Sequence, residues 1–282
     1  MSGKKSNTGI TFNNIRWEVY RSILIPDEPP HLEISLKQEE CHELLLHTNA
    51  WMIRWPSQWD KKEVSAFWYV IKDHYKGFAD FSRNTRSKIR RGMKRNDVRK
   101  IEIEELKKQG YLVYERAFSR YARFCKSLNA DEFLKRLNEM DSDQYEFWGV
   151  YNDGVLVAYA EIKKLKEVIN TSVLKFHPAY LGEYTSYALF YSLIKHYLRD
   201  DGVKYITNGA RSISHDTNIQ SFLIEQFNFR RAYCKLNIFY KHLLGYGVQI
   251  AYPFRKLTGK LPGKPFKKLD VLLAQEFIRR NS

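Results

Sequence analysis

A chain of 282 residues that is 44% apolar and 15% aromatic can bury one large core or two compact ones, which excludes wholesale disorder. Its 47 Lys and Arg against 32 Asp and Glu leave a formal charge of +15, favouring anionic partners such as nucleic acid, phosphorylated small molecules or an acidic membrane face. Cys41, Cys125 and Cys234 lie far apart with no CxxC, which argues against a disulfide framework or a zinc site and suits a reducing compartment. Residues 1–7 are polar and no apolar run approaches the length of a membrane span, so a cytoplasmic protein without signal peptide is expected.

Residues 1–14 read as a frayed terminus. Ile15 to Ile25 is strand-like and ends at Pro26 and the Pro29-Pro30 pair; Leu32, Ile34 and Leu36 then alternate as in a strand. Gln38 to His47 reads as a short helix, Trp51, Ile53 and Trp55 alternate, and Phe67 to Ile71 is an aromatic strand. Region 15–140 therefore begins as small α+β. Ser82 can cap a basic helix over 83–100, which carries nine Lys and Arg and Asp97 as its single acid. Its bases point several ways around the helix. The same pattern suits a solvated surface helix or, through the planar forks of Arg90 and Arg91, contacts to phosphate. Gly92 within it costs about 1 kcal/mol of helix propensity relative to Ala.

Glu102 to Asn138 has helical spacing, with Gly110 expected to separate two helices. From Tyr145 the period becomes two, and Asn152-Asp153-Gly154 between apolar runs predicts a hairpin. Val168 to Phe176 is a β-branched strand. His177-Pro178 stops it, Leu181-Gly182-Glu183 turns the chain, and from Tyr184 the apolar positions Tyr187, Phe190, Tyr191, Ile194 and Leu198 take helical spacing. Such a strand, turn and helix make an anion site, because first-turn N–H groups lack internal partners. Gly202 ends the helix, Val203 to Asn208 is a strand, Asp216 to Gln226 a helix capped by Asp216 or Thr217, and Tyr233 to Tyr240 a last strand. The tail, 245–282, is rich in Gly and Pro, has six bases and no acid from Arg255 to Lys268, and ends in a short helix from Leu269 to Ile278.

Three stretches carry a family likeness. Trp148-Gly149-Val150-Tyr151-Asn152-Asp153-Gly154-Val155-Leu156-Val157-Ala158 resembles the central hairpin of the GNAT acyltransferases. Val173 to Ser186 stands where that family keeps its pyrophosphate-binding turn. Asn218 with Phe222-Leu223-Ile224-Glu225-Gln226-Phe227-Asn228-Phe229 resembles its last helix and the strand that follows. Upstream, Lys88-Ile89-Arg90-Arg91-Gly92-Met93-Lys94 resembles the FemAB-like branch. The resemblance implies an α+β fold: a GNAT-like mixed β-sheet with packed helices at 141–244, preceded by a partial or degenerate GNAT-like region.

It also implies an N-acyltransferase working by direct transfer, without metal, in a cleft where the strands ending near Phe176 and Asn208 splay apart. The donor would be acyl-CoA or, as in FemAB-type enzymes, aminoacyl-tRNA. The acceptor would be an amine, or a hydroxyl, of a cell-wall or polysaccharide precursor, lipid-linked acceptors included. Donor contacts map to Lys175, Phe176, Gly182, Glu183, Tyr184, Thr185 and Asn218, and substrate contacts to Asn208, Arg211, Arg90 and Arg91. The turn departs from the family's Q/R-x-x-G-x-G/A pattern: it keeps Gly182 alone, and Glu183 would repel a diphosphate.

Acyl transfer needs a neutral amine, a polarised carbonyl and a proton for the leaving group. Glu161, on a strictly apolar strand, reads as a general base with a raised pKa or as a surface acid beside Lys163 and Lys164. His215-Asp216 could orient a base or simply cap a helix. Tyr184 or Tyr233 could supply the proton. Two readings stand beside this one: a non-catalytic nucleic-acid binder using 83–100, and peripheral attachment to an anionic inner membrane surface through 243–268, where Tyr246, Ile250, Tyr252 and Phe254 alternate with bases.

Overall fold

A computed structural model describes residues 9–119, 127–213, 218–258 and 263–282. The chain divides into two units that do not follow its linear order. One comprises Met1–Tyr69, Ala210–Thr217 and Arg231–Ser282; the other comprises Val70–Gly209 and Asn218–Arg230. The expected break near 140 falls inside the second unit, and the tail beyond 244 belongs with the N-terminal residues. Non-local strand pairing dictates this division, and periodicity along the chain does not register it. Both units are mixed α+β, as expected.

In the first unit, β1 (Ile10–Phe12), β2 (Ile15–Tyr20) and β3 (Ile23–Pro26) form an antiparallel meander. Residues 10–12 are therefore not frayed: Ile10 pairs with Trp17, and Asn13 and Asn14 take the left-handed turn conformations that asparagine tolerates. Helix α1 (Gln38–Leu46) carries the chain to β4 (Met52–Ser57), which lies parallel to β3. Strand β5 (Phe67–Lys72) starts in this unit and ends in the other. The alternation at Leu32, Ile34 and Leu36 makes no ladder; Ile34 is instead buried, and its carbonyl accepts the Trp55 indole N–H at 3.1 Å. Trp17, Leu24, Leu44, Ile53 and Trp55 share that core.

The C-terminal elements of this unit are β11 (Arg230–Tyr240), antiparallel to β4, then α7 (His242–Ala251), α8 (Arg255–Thr258) and α9 (Lys264–Arg280). Helix α9 is longer than the expected final helix because Gly263 and Pro265 start it, as proline at an early helical position does. On α9 the buried Glu276 carboxylate accepts from Arg279, from Arg280 Nε at 2.7 Å and from the Tyr240 hydroxyl at 3.0 Å. Burial by itself would raise its pKa, but these donors win and hold it at about 2 instead of 4.5. A depressed carboxylate stabilises the fold above its unfolded pKa, and that contribution is lost as pH falls from 4.5 towards 2. Glu276→Gln is therefore expected to lower stability at neutral pH by about 1–2 kcal/mol, allowing for the partly exposed arginines, and to flatten the acid limb of a urea-midpoint-against-pH curve.

The second unit holds α2 (Arg83–Arg95), β6 (Asp97–Ile101), α3 (Ile103–Phe118), α4 (Ala130–Asn138), β7 (Tyr145–Asn152), β8 (Val155–Leu165), β9 (Val168–Phe176), α5 (Thr185–Ile194), β10 (Tyr205–Ala210) and α6 (Asn218–Phe227). Its strands run in the order β10-β9-β8-β7-β6, with β10 parallel to β9 and the rest antiparallel. Asp153 and Gly154 both have positive φ, the two-residue turn expected of an Asp-Gly hairpin. Ser82 caps α2 as expected, accepting from Thr85 N–H at 3.2 Å, but the helix stops at Arg95. Residues 97–101 form an edge strand on β7, not the last turn of a basic helix. Gly110 lies inside α3 and does not end it; a Cβ there would crowd the ring of Phe133 on α4 at 3.2 Å. One sheet face packs Leu106, Val113, Phe133 and Leu137 of α3 and α4, and Phe190 of α5 joins Phe222 and Phe227 of α6 in a second aromatic cluster.

Candidate functional site

The parallel ladder between β9 and β10 is short. It pairs Tyr205 with Val168, Ile206 with Ile169 and Thr207 with Asn170, and both strands then run on unpaired with each other, β9 to Phe176 and β10 to Ala210. Side chains replace the ladder where it stops. Asn208 Nδ2 donates to Thr171 Oγ1 at 2.8 Å, Thr171 Oγ1 donates to the Thr207 carbonyl, and Thr207 Oγ1 donates to the Val70 carbonyl at 3.0 Å. Gly209 follows at φ +76°, a conformation outside the extended range that glycine adopts readily. The neighbouring parallel strands thus separate beyond Asn170 and Thr207.

After β9, His177 Nδ1 accepts from Ala179 N–H, and Pro178–Glu183 forms a 3-10 turn that delivers the chain to α5. The residue in the left-handed conformation is Tyr184, at φ 57° and ψ 31°, not Gly182. That conformation costs roughly 1–2 kcal/mol for a side chain with a Cβ, so neighbours must hold it. Helix α2 supplies them. Gly92 packs so closely that a Cβ on it would stand 2.7 Å from the Tyr184 carbonyl oxygen. Asn96 Nδ2 donates to the carbonyls of Gly92 and Glu183, at 2.8 and 2.9 Å.

Charge collects on the same helix face. Arg95 Nη1 lies 2.6 Å from Glu183 Oε2, Arg91 Nη1 donates to the Tyr184 hydroxyl at 3.1 Å, and Lys88 Nζ donates to the Tyr187 hydroxyl at 3.2 Å. Positions 88, 91, 92, 95 and 96 recur at helical spacing, so one stripe of α2 lies along the turn and the start of α5. The acid in the turn, read from sequence as repelling a diphosphate, is neutralised by Arg95; Lys88 and Arg91 leave a net positive charge. Helix α5 has no side-chain cap, and its macrodipole adds to that charge. An open concavity of about 600 Å³ adjoins this corner, with Lys94, Arg95, Asn96, Arg99 and Tyr151 among its lining.

The other expected site residues fall in several places. Glu183, Tyr184 and Thr185 are together at the turn, with Gly182 in it and Arg91 against it. Arg90 is not there: its guanidinium lies over the Phe78 ring at 5.0 Å. Lys175 and Phe176 lie on opposite faces of β9. The Lys175 ammonium is 5.5 Å from the Tyr114 ring on α3, and Phe176 packs 6.5 Å from Phe190 on α5. Glu161, 1% exposed, faces α4, where Arg136 holds both its oxygens, at 2.6 and 2.8 Å. A buried carboxylate gripped in this fork presents no open oxygen to an amine, so its geometry is that of an anchor between β8 and α4.

Asn218 opens α6 and is exposed. Arg211 belongs to the first unit, donates to the Ala66 carbonyl at 2.7 Å and lies over Trp68. Tyr233 also belongs to the first unit, where its carbonyl accepts from Lys61 N–H on the loop before β5. His215 and Asp216 lie outside the described residues. Lys88, Gly92 and Arg95 are singled out in the sequence only within the basic run and the FemAB-like stretch, and Asn96 not at all, although their shared helical face was a readable signal. Among the described residues, no three His, Cys, Asp or Glu are grouped to hold a metal ion.

No protein-family model and no curated protein matches the sequence. Solved structures do. FemX superposes with a TM-score of 0.56 at 10% identity, over 83% of this chain and 85% of its own. The C-terminal domain of a putative lysylphosphatidylglycerol synthetase from Agrobacterium fabrum gives 0.52 at 12%, over 82% and 83%. L-PGS from Bacillus licheniformis gives 0.50 at 12%, over 95% and 86%. The chain shares their fold. The likeness extends over most of each chain, so it includes the region before β6 as well as the sheet that carries the turn.

Proposed function

We propose that the chain is an acyl- or aminoacyltransferase that binds an anionic donor at the α2–turn–α5 junction and transfers its acyl group directly to an amine, or a hydroxyl, of a cell-envelope precursor. One observation carries this reading: the separation of β9 from β10 lies beside a helix N-terminus whose turn is lined by Lys88, Arg91 and Arg95. Side-chain cations here do what several glycine N–H groups would do in a tighter turn, and they suit a bulky phosphate-bearing donor, whether acyl-CoA or aminoacyl-tRNA. The acceptor class rests on the name of one similar structure, which refers to lysylphosphatidylglycerol, a lysyl group on a phospholipid.

In the proposed reaction the acceptor nitrogen or oxygen attacks the donor carbonyl carbon as the donor's C–O or C–S bond breaks. The departing atom takes a proton from the Tyr184 hydroxyl, and the proton shed by the acceptor restores it. Arg91 donates to that hydroxyl oxygen, which leaves the phenolic proton directed elsewhere. A non-catalytic nucleic-acid binder is the weaker reading, because the bases Lys88, Arg91 and Arg95 converge on the turn and the start of α5 instead of spreading into solvent.

The test is a titration of the full chain with acyl-CoA and with charged tRNA at low and high salt. Arg91→Ala/Arg95→Ala is expected to weaken the bound donor at least about 100-fold, since it removes two hydrogen bonds to charged groups, each contributing about 1.5–3 kcal/mol. A steep salt dependence would identify the nucleic acid donor. Unchanged binding of both donors by this variant would refute the assignment of the junction.

A further inference from the structure

We propose that the face made by α7, α8 and the start of α9 docks onto an anionic lipid surface, a property that does not depend on the transferase reading. Helix α7 buries Val248 and turns Leu243, Tyr246 and Ile250 to water, with Leu243 86% and Ile250 72% exposed. The chain then continues through a 3-10 turn (Tyr252–Phe254) into α8, and Phe254 and Leu257, 58% and 60% exposed, extend the three–four spacing. Five large apolar side chains recurring at helical spacing on solvent-facing helices form a stripe that single exposed residues would not.

Charge determines what can cover it. No Asp or Glu occurs between Glu225 and Asp270. Lys241 precedes α7, Arg255 and Lys256 lie in α8, and Lys267 and Lys268 in the first turns of α9. Arg255 is held near the rings of Tyr252 and Phe277, at 4.5 and 5.6 Å, so a cation is fixed beside the apolar side chains. A second copy of the chain would bring like charges together, and a polynucleotide would have no use for exposed Leu and Ile. An apolar stripe flanked by cations, on a segment of chain without acids, suits the interface of a bilayer with anionic headgroups, where apolar burial and attraction to phosphate add.

The experiment is flotation of the full-length chain with vesicles of pure phosphatidylcholine and of two parts phosphatidylcholine to one part phosphatidylglycerol, at low and high salt. The wild type is expected to float with the anionic vesicles and to be released by salt. Leu243→Ser/Ile250→Ser/Leu257→Ser should lower the apparent affinity at least about tenfold, and Lys256→Glu/Lys268→Glu should do the same. All five positions are in exposed helical segments, and thermal unfolding would verify that each variant is folded. The charge variant decides the matter if the serine variant is not. Three results would overturn the proposal: no flotation with anionic vesicles, equal flotation with neutral ones, or flotation indifferent to both variants. A salt-stable dimer that the serine substitutions dissociate, in a chain that ignores vesicles, would assign the face to a second copy instead.

Discussion

Substituting Arg136 by alanine is expected to destabilise the second unit by about 3–5 kcal/mol, read as a drop in the urea midpoint, because it strands the buried Glu161 carboxylate. Glu161 is almost wholly buried on β8, while Arg136 reaches it from α4 with one guanidinium nitrogen on each oxygen. Burial tends to lower the arginine's pKa, yet the hydrogen bonds and charge of Glu161 outweigh it and hold the guanidinium above its usual value. The pair is thus mutually dependent. Replacing both partners, as Arg136→Met/Glu161→Leu, should recover most of the loss, since well-packed apolar residues often match a buried ion pair. The coupling across this cycle is expected to exceed about 1 kcal/mol. The same cycle bears on chemistry. If Glu161 were the general base, the folded double variant would be inactive. As an anchor it should leave transfer by the folded fraction largely intact.

What the sequence revealed and what it hid divides by range. The Asp153-Gly154 hairpin, the strand of Val168–Phe176, the turn and the helix after it are set by neighbouring residues, and periodicity found them. The separation of β9 from β10 was expected from the family likeness and appears as a ladder that stops after three pairs. Strand β6 was missed because its bases extend the basic run of α2. In the strand Val98 and Ile101 pair with Val150 and Phe147, and Arg99 lies over the Tyr151 ring at 4.4 Å. Glu183 was read alone and therefore as repulsive; its partner, Arg95, is 88 residues upstream. Glu161 was likewise read without Arg136. Electrostatic roles at this site are decided by contacts between distant segments, and no local pattern encodes the sign of the outcome.

Gly92→Ala is expected to lower stability by about 1–2 kcal/mol and to weaken donor binding, although helix propensity alone predicts a gain of about 1 kcal/mol. The opposite signs make this a sharp test. The added methyl would meet the Tyr184 carbonyl oxygen at 2.7 Å and the Ala188 side chain at 3.3 Å. Backbone cannot swing aside as the end of a long side chain can, so α2 must lift from the start of α5. Lifting it draws Arg91 from the Tyr184 hydroxyl and Arg95 from Glu183, and it loosens the contacts that hold Tyr184 at positive φ. Donor affinity should therefore fall together with the melting temperature. Asn84→Ala, at an exposed position on the first turn of the same helix and away from the concavity, serves as the control and should change neither by much. A Gly92→Ala chain that melts higher than wild type and binds donor equally well would mean that the two helices are not held at this distance in solution.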